Sequence, residues 1–194
     1  MAAQPHILGI GGTVSPDSTS ERALRVALNA TEMLGASVHL FKGASLAALP
    51  YYSYTAARDS STAAELVAEI RKADGLIIAS PGYHGSVSGL IKNAIDYIEE
   101  TAKDSRTYLD GVPVGLIVTA SGWQATGSTL STLRSVVHAL RGWPTPLGGA
   151  IKSEPKLFEG GVCTNQSVSA QLELIGRQVY EFSNLQKRIS EPLV

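Results

Sequence analysis

Apolar positions along this chain follow two rhythms that alternate five times. The first is the short continuous run. Ile7-Leu8-Gly9-Ile10, Gly75-Leu76-Ile77-Ile78-Ala79 and Val112-Pro113-Val114-Gly115-Leu116-Ile117-Val118-Thr119 read as buried strands, the first stopped by Gly11-Gly12 and the second by Ser80-Pro81-Gly82. Pro113 suits a strand start. Ser37-Val38-His39-Leu40-Phe41 is a weaker strand, and residues 147–151 supply a fifth. The second rhythm is the 3.6-residue period. Leu24, Ala27, Leu28 and Leu34 predict a helix closed by Gly35, and Leu66, Val67 and Ile70 predict one ending near Lys72. Val87, Leu90, Ile91, Ala94, Ile95 and Ile98 give a third helix reaching about Ala102. Leu130, Leu133, Val137 and Leu140 mark a fourth, stopped by Gly142-Trp143-Pro144, and Val168, Leu172, Ile175, Val179 and Phe182 mark a last one finishing near Lys187. Ser18-Thr19-Ser20-Glu21 and Thr62-Ala63-Ala64-Glu65 both have the capping-box pattern of a helix start.

Strands that are apolar throughout, rather than at alternate positions, belong to parallel sheets covered by helices on both faces. The predicted class is therefore α/β, a doubly wound five-stranded parallel sheet in the order 2-1-3-4-5. Such sheets bind ligands where the crossover direction reverses, outside the carboxyl ends of strands one and three. Three loops face that crevice: Gly11 to Ser20, Ser80 to Ser86, and the hydroxyl-rich Thr119 to Gly127. Residues 42–61 form a long connection with Pro50, Tyr51, Tyr52 and Tyr54, either a lid or partner contact or a packed surface loop.

Composition narrows this picture. With 194 residues, 44% hydrophobic and 17% charged, the chain fits one domain over 1–194 and excludes wholesale disorder. A net charge of -1 gives no attraction to polyanions, so nucleic acid is not an expected partner. The lone Cys163 allows no internal disulfide and no cysteine-based metal cage; it is a reactive thiol or a small packed filler. No metal is expected. The start lacks a basic segment followed by a long apolar one, and no run approaches the roughly 20 apolar residues that span a bilayer, so a cytoplasmic protein without membrane association is expected.

The first loop sets the hydroxyls of Thr13, Ser15, Ser18, Thr19 and Ser20 before a helix, which makes an anion site or an ordinary turn with an N-cap. It is neither a dinucleotide fingerprint, lacking the third glycine, nor a P-loop, lacking Gly-Lys-Ser/Thr. The second loop places Tyr83 and His84 between glycines that allow close backbone approach, so a flat ligand fits there, as does a plain strand-to-helix turn. No carboxylate at a recognisable spacing orients His84 as a base. Gly85-Ser86-Val87-Ser88-Gly89 is not a hydrolase elbow, because Val87 stands where the nucleophile belongs.

Gly11-Gly12-Thr13 after strand one, Pro81-Gly82-Tyr83-His84-Gly85-Ser86 after strand three, and Ser88-Gly89-Leu90-Ile91-Lys92-Asn93-Ala94-Ile95-Asp96 into the next helix occur in order. Together they resemble the NAD(P)H-dependent FMN reductase family, whose middle motif reads close to P-E-Y-N-G-S-x-P-G-x-x-K-N-A-x-D-W. The chain keeps Pro81, Tyr83, Gly85, Ser86, Gly89, Lys92, Asn93, Ala94 and Asp96. The resemblance runs over residues 6–151 and weakens in the last helix.

The resemblance implies a flavodoxin-like fold with bound FMN, and NADPH or NADH as co-substrate. It makes Thr13, Ser18 and Ser20 phosphate ligands, assisted by Thr19 and backbone amides, and it wraps Pro81, Gly82, Tyr83, His84, Gly85 and Ser86 around the isoalloxazine edge. Ser121 and Gly122 would flank the other side, with Trp123 a neighbouring wall. No catalytic acid or base is implied, since hydride passes between cofactors. The expected reaction is ping-pong, ending on free flavin, a quinone or a similar small acceptor, with a flavin-dependent monooxygenase as a receiver of reduced FMN. A homodimer or homotetramer is implied, with the third helix contributing. The alternatives are a quinone, azo or metal-oxyanion reductase on the same site, or a flavodoxin-like electron carrier, which the weak net charge disfavours. Three departures stand out. Ser15 or its neighbours replace an arginine frequent in the first loop, Gly82 replaces a glutamate, and His84 replaces an asparagine. Less charge on the phosphate implies more reversible FMN binding.

Overall fold

The computed structural model describes residues 4–190; Met1–Ala3, part of the start considered for a leader, lie outside them. In chain order the elements are β1 (His6–Gly11), α1 (Thr19–Met33), β2 (Ser37–Lys42), α2 (Gly43–Ala47), α3 (Ala56–Asp59), α4 (Ser61–Lys72), β3 (Gly75–Tyr83) and β4 (Ser86–Val87). There follow α5 (Gly89–Asp96) with a 3-10 turn (Tyr97–Thr101), β5 (Pro113–Ala120), α6 (Trp123–Ala139), β6 (Trp143–Pro144), β7 (Gly149–Lys152), β8 (Phe158–Glu159), β9 (Val162–Cys163) and α7 (Gln166–Ser190).

The main path of the sheet is β2-β1-β3-β5-β6, all parallel, and β7 also pairs parallel to β5. β6 and β7 thus share the fifth position, meeting the start and the end of β5 in turn. The expected order 2-1-3-4-5 is present with that edge strand split. Successive residues of each strand enter opposite cores. Leu8, Ile10, Leu76, Ile78, Val114, Leu116 and Val118 pack under α4, α5 and α6, whereas Ile7, Ile77, Ala79 and Ile117 pack under α1 and α7. Burial on both faces is why these strands carry no polar alternation.

Several boundaries differ from the sequence expectation. β3 does not stop at Ser80-Pro81-Gly82 but continues to Tyr83 and folds back as a hairpin on β4, so Val87 is a strand residue and α5 begins after it. The cap of α4 is Ser60, whose Oγ accepts from Ala63 N at 3.2 Å, rather than Thr62, because Ser60 holds the extended conformation a cap requires. α6 starts at Trp123, leaving only Ser121-Gly122 between strand and helix. The 42–61 connection contains α2 and α3, and the small β8–β9 hairpin turns on Gly160-Gly161, with φ of 55° and 84°. No helix among the described residues is long and apolar enough to cross a membrane.

Candidate functional site

At the carboxyl end of the sheet, the last residues of β3 and β5 and the segments that follow β1 and β7 surround a cleft of about 340 Å3. Its wall consists of Thr13, Ser18, Thr19, Ser20, Pro81, Gly82, Tyr83, Thr119, Ala120, Ser121 and Ser153. Every one of them is uncharged.

The α1 side is built for an anion. Ser18 caps the helix, its Oγ accepting from Glu21 N at 3.3 Å and lying 3.2 Å from Ser20 Oγ. The N–H groups of Thr19 and Ser20, the first two helical positions, have no acceptor among the described residues. Free N–H groups, adjacent hydroxyls and the positive end of a helix dipole are the donor set that phosphate takes. Glu21 would repel an anion, but Arg25 neutralises it through a contact of 2.8 Å. The Thr13 hydroxyl is engaged locally, accepting from Ser15 N at 3.1 Å. Behind this loop, α2 comes so close that a Cβ on Gly43 would overlap the Thr13 carbonyl.

The β3 side is a hairpin turning on His84-Gly85, with φ of 52° and 81°. Two successive positive φ values define a type I′ turn, for which Asn-Gly is the preferred pair and in which histidine is among the tolerated residues. The family's asparagine and this chain's histidine therefore meet one backbone demand. Ser128 Oγ pins the turn by donating to Gly85 O at 2.9 Å. Tyr83 is 56% exposed, so it does not pack locally. A Cβ on Gly82 would stand 3.0 Å from Thr129 Oγ1 and 3.1 Å from Ala125 O, so a side chain here would push against α6. Thr129 Oγ1, buried at that contact, has no hydrogen-bond partner among the described residues.

Of the expected residues, Thr13, Ser18, Thr19, Ser20, Pro81, Gly82, Tyr83 and Ser121 come together in the wall. His84 and Gly85 form the hairpin tip beside it, Ser86 opens β4, and Gly122 caps α6; none of these four lines the cleft. Trp123, 65% exposed at the start of α6, does not line it either. Thr119 and Ala120, which open the third expected loop but were not singled out in it, also line the cleft, and sequence reasoning missed Ser153. Ser153 N donates to Ala120 O at 2.7 Å, continuing the β5–β7 pairing. The rule that ligands sit at carboxyl strand ends, applied to the fifth strand as to the others, would have found it.

The helix part of the motif has a supporting role. Asn93 Oδ1 accepts from Tyr52 N at 2.8 Å, and its amide donates to Pro50 O at 3.0 Å, as does Tyr97 Oη at 2.9 Å. Lys92 pairs with Asp96. Tyr52 is anchored further by donating to Glu100 at 3.0 Å, and burial together with that carboxylate pushes its phenol well above the usual range. The tyrosine segment is thus tethered to α5 through Tyr52, while Tyr51 stays 90% exposed.

Residues 5–154 match the family model described as NADPH-dependent FMN reductase. The FMN-dependent NADPH-azoreductase of Staphylococcus haemolyticus (strain JCSC1435) is 40% identical over 78 residues, covering 40% of this chain and 38% of that protein. The protein of the same name from Staphylococcus aureus (strain USA300) is 42% identical over 74 residues, covering 38% and 36%. These matches thus span under two fifths of the curated relatives' own length. Among solved structures, the flavoenzyme NAD(P)H:(acceptor) oxidoreductase FerB from Paracoccus denitrificans superposes with a TM-score of 0.72 at 19% identity, over 94% of this chain and 98% of that one. The apo form of an NADH:FMN oxidoreductase, EMOB, gives 0.67 at 22% identity, over 97% and 92%. A WrbA-like flavodoxin protein from Agrobacterium tumefaciens gives 0.61 at 16%, over 97% and 99%. The fold is flavodoxin-like.

Proposed function

The chain belongs to the NADPH-dependent FMN reductase family, and on that premise we propose that it holds FMN in this cleft and passes reducing equivalents from NADPH or NADH to a small acceptor in alternating half-reactions. The observation that carries this reading is the donor set at the start of α1. Two free backbone N–H groups and the hydroxyls of Ser18, Thr19 and Ser20 suit the phosphate dianion of FMN without a bridging metal. Bound FMN would supply the ring that accepts and passes on hydride.

The protein's own part is to position and to exclude water. Pro81, Gly82 and Tyr83 would wall the ring from the β3 side and Ser121 from the β5 side, with the His84-Gly85-Ser86 turn and Gly122 at its edge. No carboxylate, histidine or lysine lines the cleft, so the reaction proposed is one that needs no side-chain acid or base. A phosphate held by neutral donors alone exchanges more readily than one clamped by arginine. Free flavin, a quinone or an azo compound is the acceptor class, and the azoreductase names of the relatives make an azo dye the first to try. Where reduced FMN itself leaves, a flavin-dependent monooxygenase would receive it.

The test is anaerobic stopped-flow on FMN-loaded protein, following the flavin's visible absorbance after mixing with NADPH or NADH. Fast bleaching by one donor, followed by reoxidation on adding acceptor after that donor is spent, is expected. FMN that binds but is bleached by neither donor would turn the reading into an electron carrier. Failure to bind FMN would sink it.

A further inference from the structure

Another cavity, of about 380 Å3, lies between the second half of α1, the first half of α7 and the β8–β9 hairpin. It shares no residue with the cleft. Small residues set the two helices close, so that a Cβ on Gly176 would overlap the Ala27 carbonyl and stand 3.2 Å from the Ala30 methyl. Val26, Ala30, Met33 and Leu34 form the α1 wall of the cavity, and Val162 with Cys163 forms the hairpin wall. Met33 and Val162 are 89% and 67% exposed, apolar surface that the core does not use. Hollows of a few hundred Å3 with apolar walls and a few convergent polar groups are where small molecules bind.

The polar groups come from one face of α7. Ser169, Glu173 and Arg177 follow one another at steps of four residues, so they line up along the helix. Glu and Arg at that spacing ordinarily pair, but the Glu173 carboxylate turns back to accept from Ser169 Oγ at 2.8 Å, and neither Glu173 nor Arg177 has an ion-pair partner among the described residues. One carboxylate and one guanidinium thus stand apart in the same wall, each short of an opposite charge. On α1, the Asn29 amide is likewise without a hydrogen-bond partner among the described residues. We propose that this cavity binds a free α-amino acid with an apolar side chain, Arg177 taking its carboxylate, Glu173 its ammonium group, and the walls of Met33 and Val162 its side chain. A guanidinium holds a carboxylate through paired N–H donors, and a carboxylate accepts from an ammonium group. A ligand with a single charge would leave the other charge of α7 unmatched, and a wholly apolar one would leave both. This inference is independent of the FMN reading, because none of these residues lines the cleft.

Titration of the isotope-labelled full chain with L-phenylalanine, followed through its backbone amide chemical shifts, tests it. Shifts are expected in the second half of α1, the first half of α7 and the β8–β9 hairpin, and not at the cleft. Phenethylamine and hydrocinnamate, each lacking one of the two charges, are expected to bind about fivefold more weakly, as is L-phenylalanine to Arg177→Ala. Met33→Gln, a side chain of similar length and helix propensity at an exposed position, is expected to leave stability unchanged and to weaken binding about threefold. An absence of shifts up to the solubility limit of L-phenylalanine overturns the proposal. So do shifts confined to the cleft, singly charged analogues that bind as well as the amino acid, or either variant binding as the wild type does.

Discussion

The two ends of the sheet are built from opposite materials. At the carboxyl end, the cleft is walled entirely by uncharged residues, and the first donors of α1 stay uncommitted. At the amino end, charged and polar side chains paired with one another tie the strands and helices together. His6 Nε2 lies 2.8 Å from Glu69 Oε2, Lys72 Nζ lies 2.6 Å from Glu69 Oε1, and Lys187 Nζ lies 2.8 Å from Asp74, whose carboxylate also accepts from His6 N. The difference separates two uses of polarity. Groups satisfied by one another hold the chain closed, whereas groups left unsatisfied at a helix start are available to a ligand.

The sharpest way to break this contrast is to remove the hydroxyls beside the free N–H groups. Ser18→Ala with Ser20→Ala should weaken FMN binding by about 3 kcal/mol, since hydrogen bonds to a charged group contribute roughly 1.5–3 kcal/mol each. A fluorescence titration reads it, and unchanged affinity would remove the phosphate from this loop. The same titration across salt concentrations should give a nearly flat response, because no cation lines the cleft. Gly43→Ala comes next. The new methyl would displace the Thr13 carbonyl, and overpacking of this kind costs about 1–3 kcal/mol. Urea unfolding measures the loss, and FMN affinity should fall with it if the first loop is the cradle. A smaller effect belongs to the hairpin. His84→Val should destabilise by about 1–2 kcal/mol, because a β-branched residue strains at positive φ, whereas His84→Asn should be neutral or better. Equal stability of both variants would show that His84 serves something other than turn geometry.

How far the site could be read from the chain follows from how local its causes are. The Ser18 cap, the continuous strand runs and the helix stripes are fixed within a few residues of one another, and the structure keeps them. The extension of β3 to Tyr83 is not local, since it exists because β4 pairs back on it across His84-Gly85. Asn93 stands in the family motif, but the partners that explain it, Pro50 and Tyr52, lie some forty residues away in sequence. Ser153 enters the cleft only because β7 docks beside β5. The last helix, α7, shows the same limit from the other side. Periodicity found Leu172, Ile175 and Val179, but only the fold shows that Phe182, read with them, stands partly outside the core.

The amino end makes its own, smallest prediction. Burial would raise the Glu69 carboxyl, but hydrogen bonds from Lys72 and His6, with His39 nearby, outweigh it and hold the group below its ordinary value of 4.5. A carboxyl with a lowered folded pKa binds fewer protons folded than unfolded, so its stabilisation is complete above the ordinary carboxylate range and is lost as pH falls through the folded value. Acid should therefore loosen this end. Lys72 is largely exposed, so solvent screening keeps the contribution of that pair under about 1 kcal/mol. Unfolding curves for wild type and Glu69→Gln, taken near neutral pH and again below the carboxylate range, measure it. The variant should be less stable near neutrality, and the gap should close in acid. If Glu69→Gln keeps the whole acid slope of the wild type, the charges at this end do not hold the chain closed, and the contrast with the neutral cleft loses its amino-terminal half.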